Sequence, residues 1–448
     1  MGRSVTLYGG LVGANRGAVA SCNTTGVVSS TGDYVSGLVG YYYDYQSFKL
    51  PHPRGSVASS FWDIQTSGQA TSDGGTGKTT AEMQTKSTFT DAGWNFEEVE
   101  GVWTIDEGRD YPRLRWEPSE TKYGGGRGTA AYPYEIWTPL QMNAIGANPG
   151  DWDMHFRLMA DIDLSGFDGK GGRPAFNLIA PALNPEIWYH GLGFTGVFDG
   201  NRHIISHLTI TGESYLGLFC CLGPGAEVKD LGLRDVEVTG SYKSIGGLVG
   251  TNGTPWVEGG TVHRCYVTGV VSGESSVGGL VGSIDWGIVT ESYNAATVSG
   301  RFWVGGLVGY NNVGDVTDCY STGAVYGDSR VGGLIGVTAS YASFGSVTRC
   351  YSTSAVKGTG NHVGGLVGEN SDMLVTASFW DTQTSGQAVS ASGTGKTTAE
   401  MQMAKTFLDA GWDIVKEETA NGSEYIWWIN EGQDYPRLWW EIGDGASP

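Results

Sequence analysis

"VGGLVGYNNVGDVTDCYSTGAVYG" occupies Val304–Gly327. It reads as three short β-rich pieces broken by Gly, Asn, Asp and Ser, with no stretch long enough for a helix. Gly-Gly-Leu-Val-Gly or a near copy begins at Gly9, Ser36, Gly246, Gly278, Gly305, Gly332 and Gly364, and a degenerate copy, Leu216-Gly217-Leu218-Phe219-Cys220, precedes the main run. From Leu216 onward the spacings are 30, 32, 27, 27 and 32 residues. A unit of this size cannot bury its own apolar side, but stacked units share one continuous core. The pattern predicts an all-β fold: a parallel β-solenoid (β-helix) with three short strands per coil, the right-handed turn usual for parallel crossovers, and a rise of about 4.8 Å per coil.

A longer duplication overlies the short one. "VASSFWDIQTSGQA…AGWNF…YPRLRWE" at 57–117 matches "VTASFWDTQTSGQA…AGWDI…YPRLWWE" at 375–441. The expected organisation is therefore a truncated first unit with its last coils at 1–60 and its tail at 61–121, then a Gly-rich linker at 122–128. A second unit follows, with an N-terminal cap and first coils at 129–215, regular coils at 216–378 and a tail at 379–448. Helix-bearing caps suit the ends of a solenoid, because an open end leaves unpaired strand edges.

Each tail contains a phosphate-loop look-alike, "SDGGTGKTTAEMQ" at Ser72–Gln84 and "SASGTGKTTAEMQ" at Ser390–Gln402. A phosphate loop opens on glycine, whereas Ser72 and Ser390 hold that place here. Thr79–Glu82 and Thr397–Glu400 instead fit the S/T-x-x-E box that starts a short helix.

With 73 Gly among 448 residues, yet 16 Trp and 22 Tyr, the chain is a folded repeat protein and not a low-complexity polymer. A net charge of −20 argues against nucleic acid and anionic membranes as partners. No apolar run reaches membrane-spanning length, and the first residues lack a secretory signal pattern.

Stacking converts sequence positions into columns. Cys265, Ser292, Cys319, Cys350 and Ser378 share one, with Cys22 and Ser60 in the first unit; cysteine alternating with serine reads as a small inward residue and free thiols. The preceding column holds Arg264, Glu291, Asp318 and Arg349. The following one holds Tyr266, Tyr293, Tyr320, Tyr351 and Phe379. Charges cannot face a dry core, so strand alternation predicts an exposed tyrosine ladder beside a charged row. Aromatic faces beside polar groups suit sugar rings. Glu291 and Asp318, one coil apart, have the separation of a retaining glycosidase pair, against the alternative of an ion-pair ladder with Arg264 and Arg349.

"DIDLSG" at Asp161–Gly166 begins like a calcium loop, making Asp161 and Asp163 weak calcium candidates, but Gly172 stands where the closing Glu is needed. No other cofactor is implied. His203 and His207 lie in a strand-like stretch that argues against a metal site. "YYYDYQSFKLPHPRG" at Tyr41–Gly55 is an aromatic insertion, with Tyr41, Tyr42, Tyr43 and Tyr45 as binding candidates.

The Gly-Gly-Leu-Val-Gly core, the "CYSTG" follow-on and the "SFWD…GTGKTTAEM…AGW…YPRL" tail resemble the GLUG-motif repeat proteins of bacteria. The resemblance implies a secreted or surface-attached, adhesin-like protein and supplies no catalytic residues. The leading expectation is an extracellular solenoid that binds a polysaccharide or cell-surface glycan through the ladder and the Tyr41–Gly55 loop. The rivals are a polysaccharide-degrading enzyme using Glu291 and Asp318, and a structural module that stacks with itself through the solenoid ends.

Overall fold

In a regular coil the paired glycines make a corner that no side chain fits. A Cβ on Gly305 would lie 1.9 Å from the Val308 carbonyl oxygen and 2.6 Å from the Gly336 amide, and one on Gly306 would strike the Gly333 carbonyl oxygen at 2.1 Å. These clashes with backbone, within the coil and on the next one, explain why the motif repeats where other positions drift.

A computed structural model describes residues 7–15, 17–30, 34–42, 55–97, 101–105, 107–108, 110–115, 122–182, 193–255, 257–340, 345–416 and 425–441. The chain forms two compact units, Met1–Thr121 and Lys122–Pro448. The second is a parallel β-solenoid. Its coils contribute strands such as Phe302–Gly305 to one face, Val308–Asn312 to a second, and Asp315–Thr317, Tyr320–Ser321 and Val325–Gly327 to a third. The third face is thus three short pieces where the sequence suggests one strand. Registers run straight up the stack, with Val304 beside Val331, Val308 beside Ile335, Val316 beside Val347 and Val325 beside Val356. Those inward columns are fully buried, and apolar burial along them is the main force holding the coils together.

The thiol column points inward as expected. Cys265, Cys319 and Cys350 are buried and free. Serines fill the same place, the Ser292 and Ser378 hydroxyls accepting from the Cys265 and Cys350 amides at 3.0 and 3.1 Å.

The stretch read as a linker at 122–128 is part of the second unit's cap. Gly124 donates to the Glu135 carbonyl at 2.7 Å, and buried Tyr123 packs on Tyr134 with ring centroids 4.5 Å apart. The strand Tyr134–Ile136 and the helix Pro139–Ala147, opened by a Thr138/Gln141 capping box, complete this end. The first unit contains parallel pairs such as Val12–Asn15 with Val39–Tyr42 and Ala18–Ala20 with Ser56–Ala58.

Both tails close their own last coil alike. The helices Thr80–Met83 and Thr398–Met401 each start on the expected capping box. The serine in place of the phosphate loop's first glycine seals a strand edge: Ser390 Oγ accepts from the Leu366 and Val367 amides at 3.3 and 2.9 Å and donates to the Val367 carbonyl at 3.0 Å. Ser72 does the same for Leu38 and Val39.

Candidate functional site

The tyrosine column does form a ladder. Successive rings of Tyr266, Tyr293, Tyr320 and Tyr351 stack with centroids 5.1, 4.7 and 5.0 Å apart. It is not an open platform, which corrects the sequence expectation. Tyr320 and Tyr351 are buried and Tyr266 and Tyr293 half-buried, because the second unit's tail lies over them with Trp412, Trp427 and Trp440. Tyr351 Oη donates to the Pro436 carbonyl, and Tyr320 Oη contacts both carboxylate oxygens of Glu441 at 2.9 Å. The ladder is where the tail docks.

The charged column occupies the corner itself, with Arg264, Glu291, Asp318 and Arg349 at φ of +50°, +45°, +54° and +51°. Asp318 is 3% exposed and fully engaged. Arg349 grips it with two nitrogens at 2.8 and 2.6 Å, and Trp427 Nε1 donates to it at 3.0 Å. Arg264 pairs with Asp230 at 2.9 Å. Burial pushes the Glu291 carboxyl up, against the pull of Arg264, and Trp440 Nε1 bonds the Glu291 carbonyl. A glycosidase pair needs both carboxyls open to substrate. Here one is locked beneath the tail; of the expected ion-pair ladder only Asp318–Arg349 forms, since Arg264 pairs with Asp230 instead of Glu291.

The calcium candidates are partnered by histidine: His203 Nδ1 lies 3.1 Å from Asp161 and His207 Nδ1 lies 2.9 Å from Asp163. Among the described residues no three metal-ligating side chains converge. Tyr41 is half-buried in the strand Val39–Tyr42, whose last residue is Tyr42. Tyr43 and Tyr45 fall outside the described residues.

Sequence columns did not mark a cleft on the second unit. A cleft of about 850 Å³ opens where the first and second faces meet and spans several coils, lined by Tyr215, Tyr242, Lys243, Ser244, Thr251, Ser275, Ser276, Ser283, Asp285, Trp286, Trp303, Tyr310 and Asn312. Hydroxyl side chains make one part polar, with Ser244 and Ser283 bonded at 2.7 Å. In the same two columns Trp303 and Tyr310 replace these serines and stack with centroids 5.1 Å apart. Trp303 and Trp286 both hold left-handed backbone, at φ of +57° and +58°. Ser244, Ser276 and Arg330 share this conformation in the Trp303 column and Val313 in the Trp286 column, so it marks solenoid corners that here carry bulky rings. At the other end the Lys243 ammonium sits 5.5 Å from the Tyr215 ring centre and 5.4 Å from that of Tyr242, and desolvation lowers its pKa. At the Trp303 end, on the Tyr310 strand and its neighbour, Asn312 Nδ2 donates to Asp285 Oδ1 at 2.8 Å. Burial raises the Asp285 carboxyl above the usual range, opposed by that hydrogen bond. The available sequence signal was a pair of aromatics interrupting columns otherwise small or polar.

The model of the GLUG motif matches residues 304–326, the coil that forms the Trp303/Tyr310 end of this cleft. The chain carries the GLUG motif. Two curated proteins are similar to parts of this chain. Halomucin of Haloquadratum walsbyi is 33% identical over 168 residues, which is 36% of this chain and 2% of that protein. A "Putative Gly-rich membrane protein" of Evansella cellulosilytica is 38% identical over 106 residues, 23% of this chain and 11% of its own length. The chain thus spans a small part of each. Among solved structures, the "Crystal structure of a putative immunoglobulin A1 protease from Bacteroides ovatus" superposes with a TM-score of 0.50 at 20% identity, covering 71% of this chain and 96% of that one. At that identity the likeness concerns the β-helical fold alone. GLUG coils here therefore build a repeat β-solenoid. No helix among the described residues is long and apolar enough to cross a membrane.

Proposed function

We propose that the second unit is a glycan-binding module of a cell-surface or secreted protein, and that the cleft between Tyr215 and Asn312 is its binding site. The observation that carries this reading is the cleft's composition: aromatic faces at both ends, hydroxyl side chains between them, and one buried carboxylate with its amide partner. Flat aromatic rings take the apolar face of a pyranose while nearby polar atoms fix its hydroxyls. A surface location is supported by the GLUG motif and by the names of the similar proteins, one a halomucin and one a Gly-rich membrane protein.

Binding is favoured over hydrolysis because glycosidases use two carboxyl groups, and Asp285 is the one carboxylate among the described residues lining the cleft. The test is titration of the full chain with a panel of plant, algal and bacterial polysaccharides, following tryptophan fluorescence and reducing ends together. We expect saturable quenching without new reducing ends, and loss of most affinity in Trp303→Ala, by about tenfold or more. Reducing ends that appear with wild type and vanish with Asp285→Asn would replace the binding reading with an enzymatic one.

A further inference from the structure

The Asp285–Asn312 pair leaves one buried acceptor, Asn312 Oδ1, with no donor to meet it. Both side chains are more than nine-tenths buried, at 6% and 8% exposure, and both line the cleft. Asn312 spends an Nδ2 hydrogen on Asp285 Oδ1, while Asn312 Oδ1 is buried and has no hydrogen-bond partner among the described residues. A buried acceptor left unmet costs on the order of 1–3 kcal/mol, and native proteins rarely leave one without reason. We propose that this pair recognises hydroxyl groups of an uncharged sugar, so that the cleft selects neutral glycans over uronate-rich or sulfated ones. The proposal rests on the glycan-binding reading above and adds its chemical class.

Three groups decide the sign of the selection. A sugar hydroxyl brings the donor that Asn312 Oδ1 lacks. A carboxylate or sulfate brings further acceptors and places like charge beside a desolvated acid, an arrangement that discriminates strongly by repulsion. The Lys243 ammonium, which could attract an anion, is held at the opposite end over the Tyr215 and Tyr242 rings.

The experiment measures binding of the full chain to hexasaccharides of three kinds: neutral (cello-, xylo- and manno-hexaose), anionic (hexagalacturonate and a sulfated hexamer) and cationic (chitosan hexamer). Wild type is compared with Asp285→Ala, Asn312→Ala and Trp303→Ala, each checked for a native circular dichroism spectrum. We expect a neutral hexamer to bind most tightly and to lose about tenfold or more with either acceptor variant, a change expected for a buried hydrogen bond. Using both variants guards against one failing to fold. Tightest binding by an anionic or cationic hexamer, lost in Trp303→Ala, keeps the glycan reading and overturns the neutral-sugar inference. Neutral binding that survives both acceptor variants overturns it as well. Binding of no hexamer overturns the glycan reading itself.

Discussion

The two copies of the tail share one core arrangement and differ most in what lies beneath them. In the first unit Phe61, Met83, Phe89, Trp94 and Phe96 form a buried cluster; in the second, Phe379, Met401, Phe407, Trp412 and Ile414 take the same places. Internal hydrogen bonds match as closely. Tyr111 Oη donates to Asp63 and Tyr435 Oη to Asp381, both at 2.7 Å, while Trp94 and Trp412 bond the carbonyls of Ser59 and Ala377 at 2.7 and 2.8 Å. Under the second copy stands the ladder of tyrosines. Under the first, Asn23 holds the place of Tyr351, reaching the Pro112 carbonyl at 3.0 Å as Tyr351 reaches Pro436. The second tail therefore packs on a column of stacked rings where the first meets a single amide side chain.

That contrast can be broken most directly at its centre. Tyr351→Ala removes a fully buried ring from Tyr320, Trp412 and Trp427 and is expected to cost about 3–5 kcal/mol, read as a lowered denaturant midpoint and early proteolysis within 375–441. Asn23→Ala should cost roughly 1 kcal/mol, one hydrogen bond. Equal costs at the two sites would show that the ladder adds nothing.

A second test sharpens the comparison through pH. The surrounding tail takes Glu441 out of water and pushes its carboxyl up to about 7, with hydrogen bonds from Tyr320 and the Leu438 amide only partly compensating. The folded state thus holds a proton that the unfolded chain releases near its ordinary value of 4.5. Stability from this group is fully present below pH 4.5 and is lost progressively as pH rises from there through about 7, on the order of 3 kcal/mol in all. Unfolding of the second tail should therefore become easier between about pH 4.5 and 7 and level off above, and Glu441→Gln should flatten that dependence. A profile unchanged by the substitution would place the titrating group elsewhere.

The smallest effect belongs to the edge serines. Ser390→Ala and Ser72→Ala each leave two strand amides without their hydroxyl and should each cost about 1 kcal/mol. Hydrogen exchange at Leu366–Val367 and Leu38–Val39 should accelerate alike, and a response in one copy alone would undo their equivalence.

Period and column identity made the solenoid, the inward thiols and the capping boxes legible, because those depend on neighbours one coil away or a few residues along the chain. Exposure of the tyrosines was misread for the opposite reason. Tyr351 is covered by Pro436 and Trp427, which no periodicity links to it, and the turn at the charged corner hides the tail's path from strand alternation. The cleft escaped because its walls come from different positions of several coils; Trp303 and Tyr310 flank the motif itself, and their meeting depends on the Gly-Gly corner folding one face against the next.

Ser72 and Ser390 make one further point about how such chains change. Each closes a stack by reading the backbone of the final Leu-Val step, a feature that every coil offers. A terminator addressed to so general a docking point leaves the number of preceding coils unconstrained. Duplication or loss of a whole repeat within a gene would then lengthen or shorten the rod without redesigning its end.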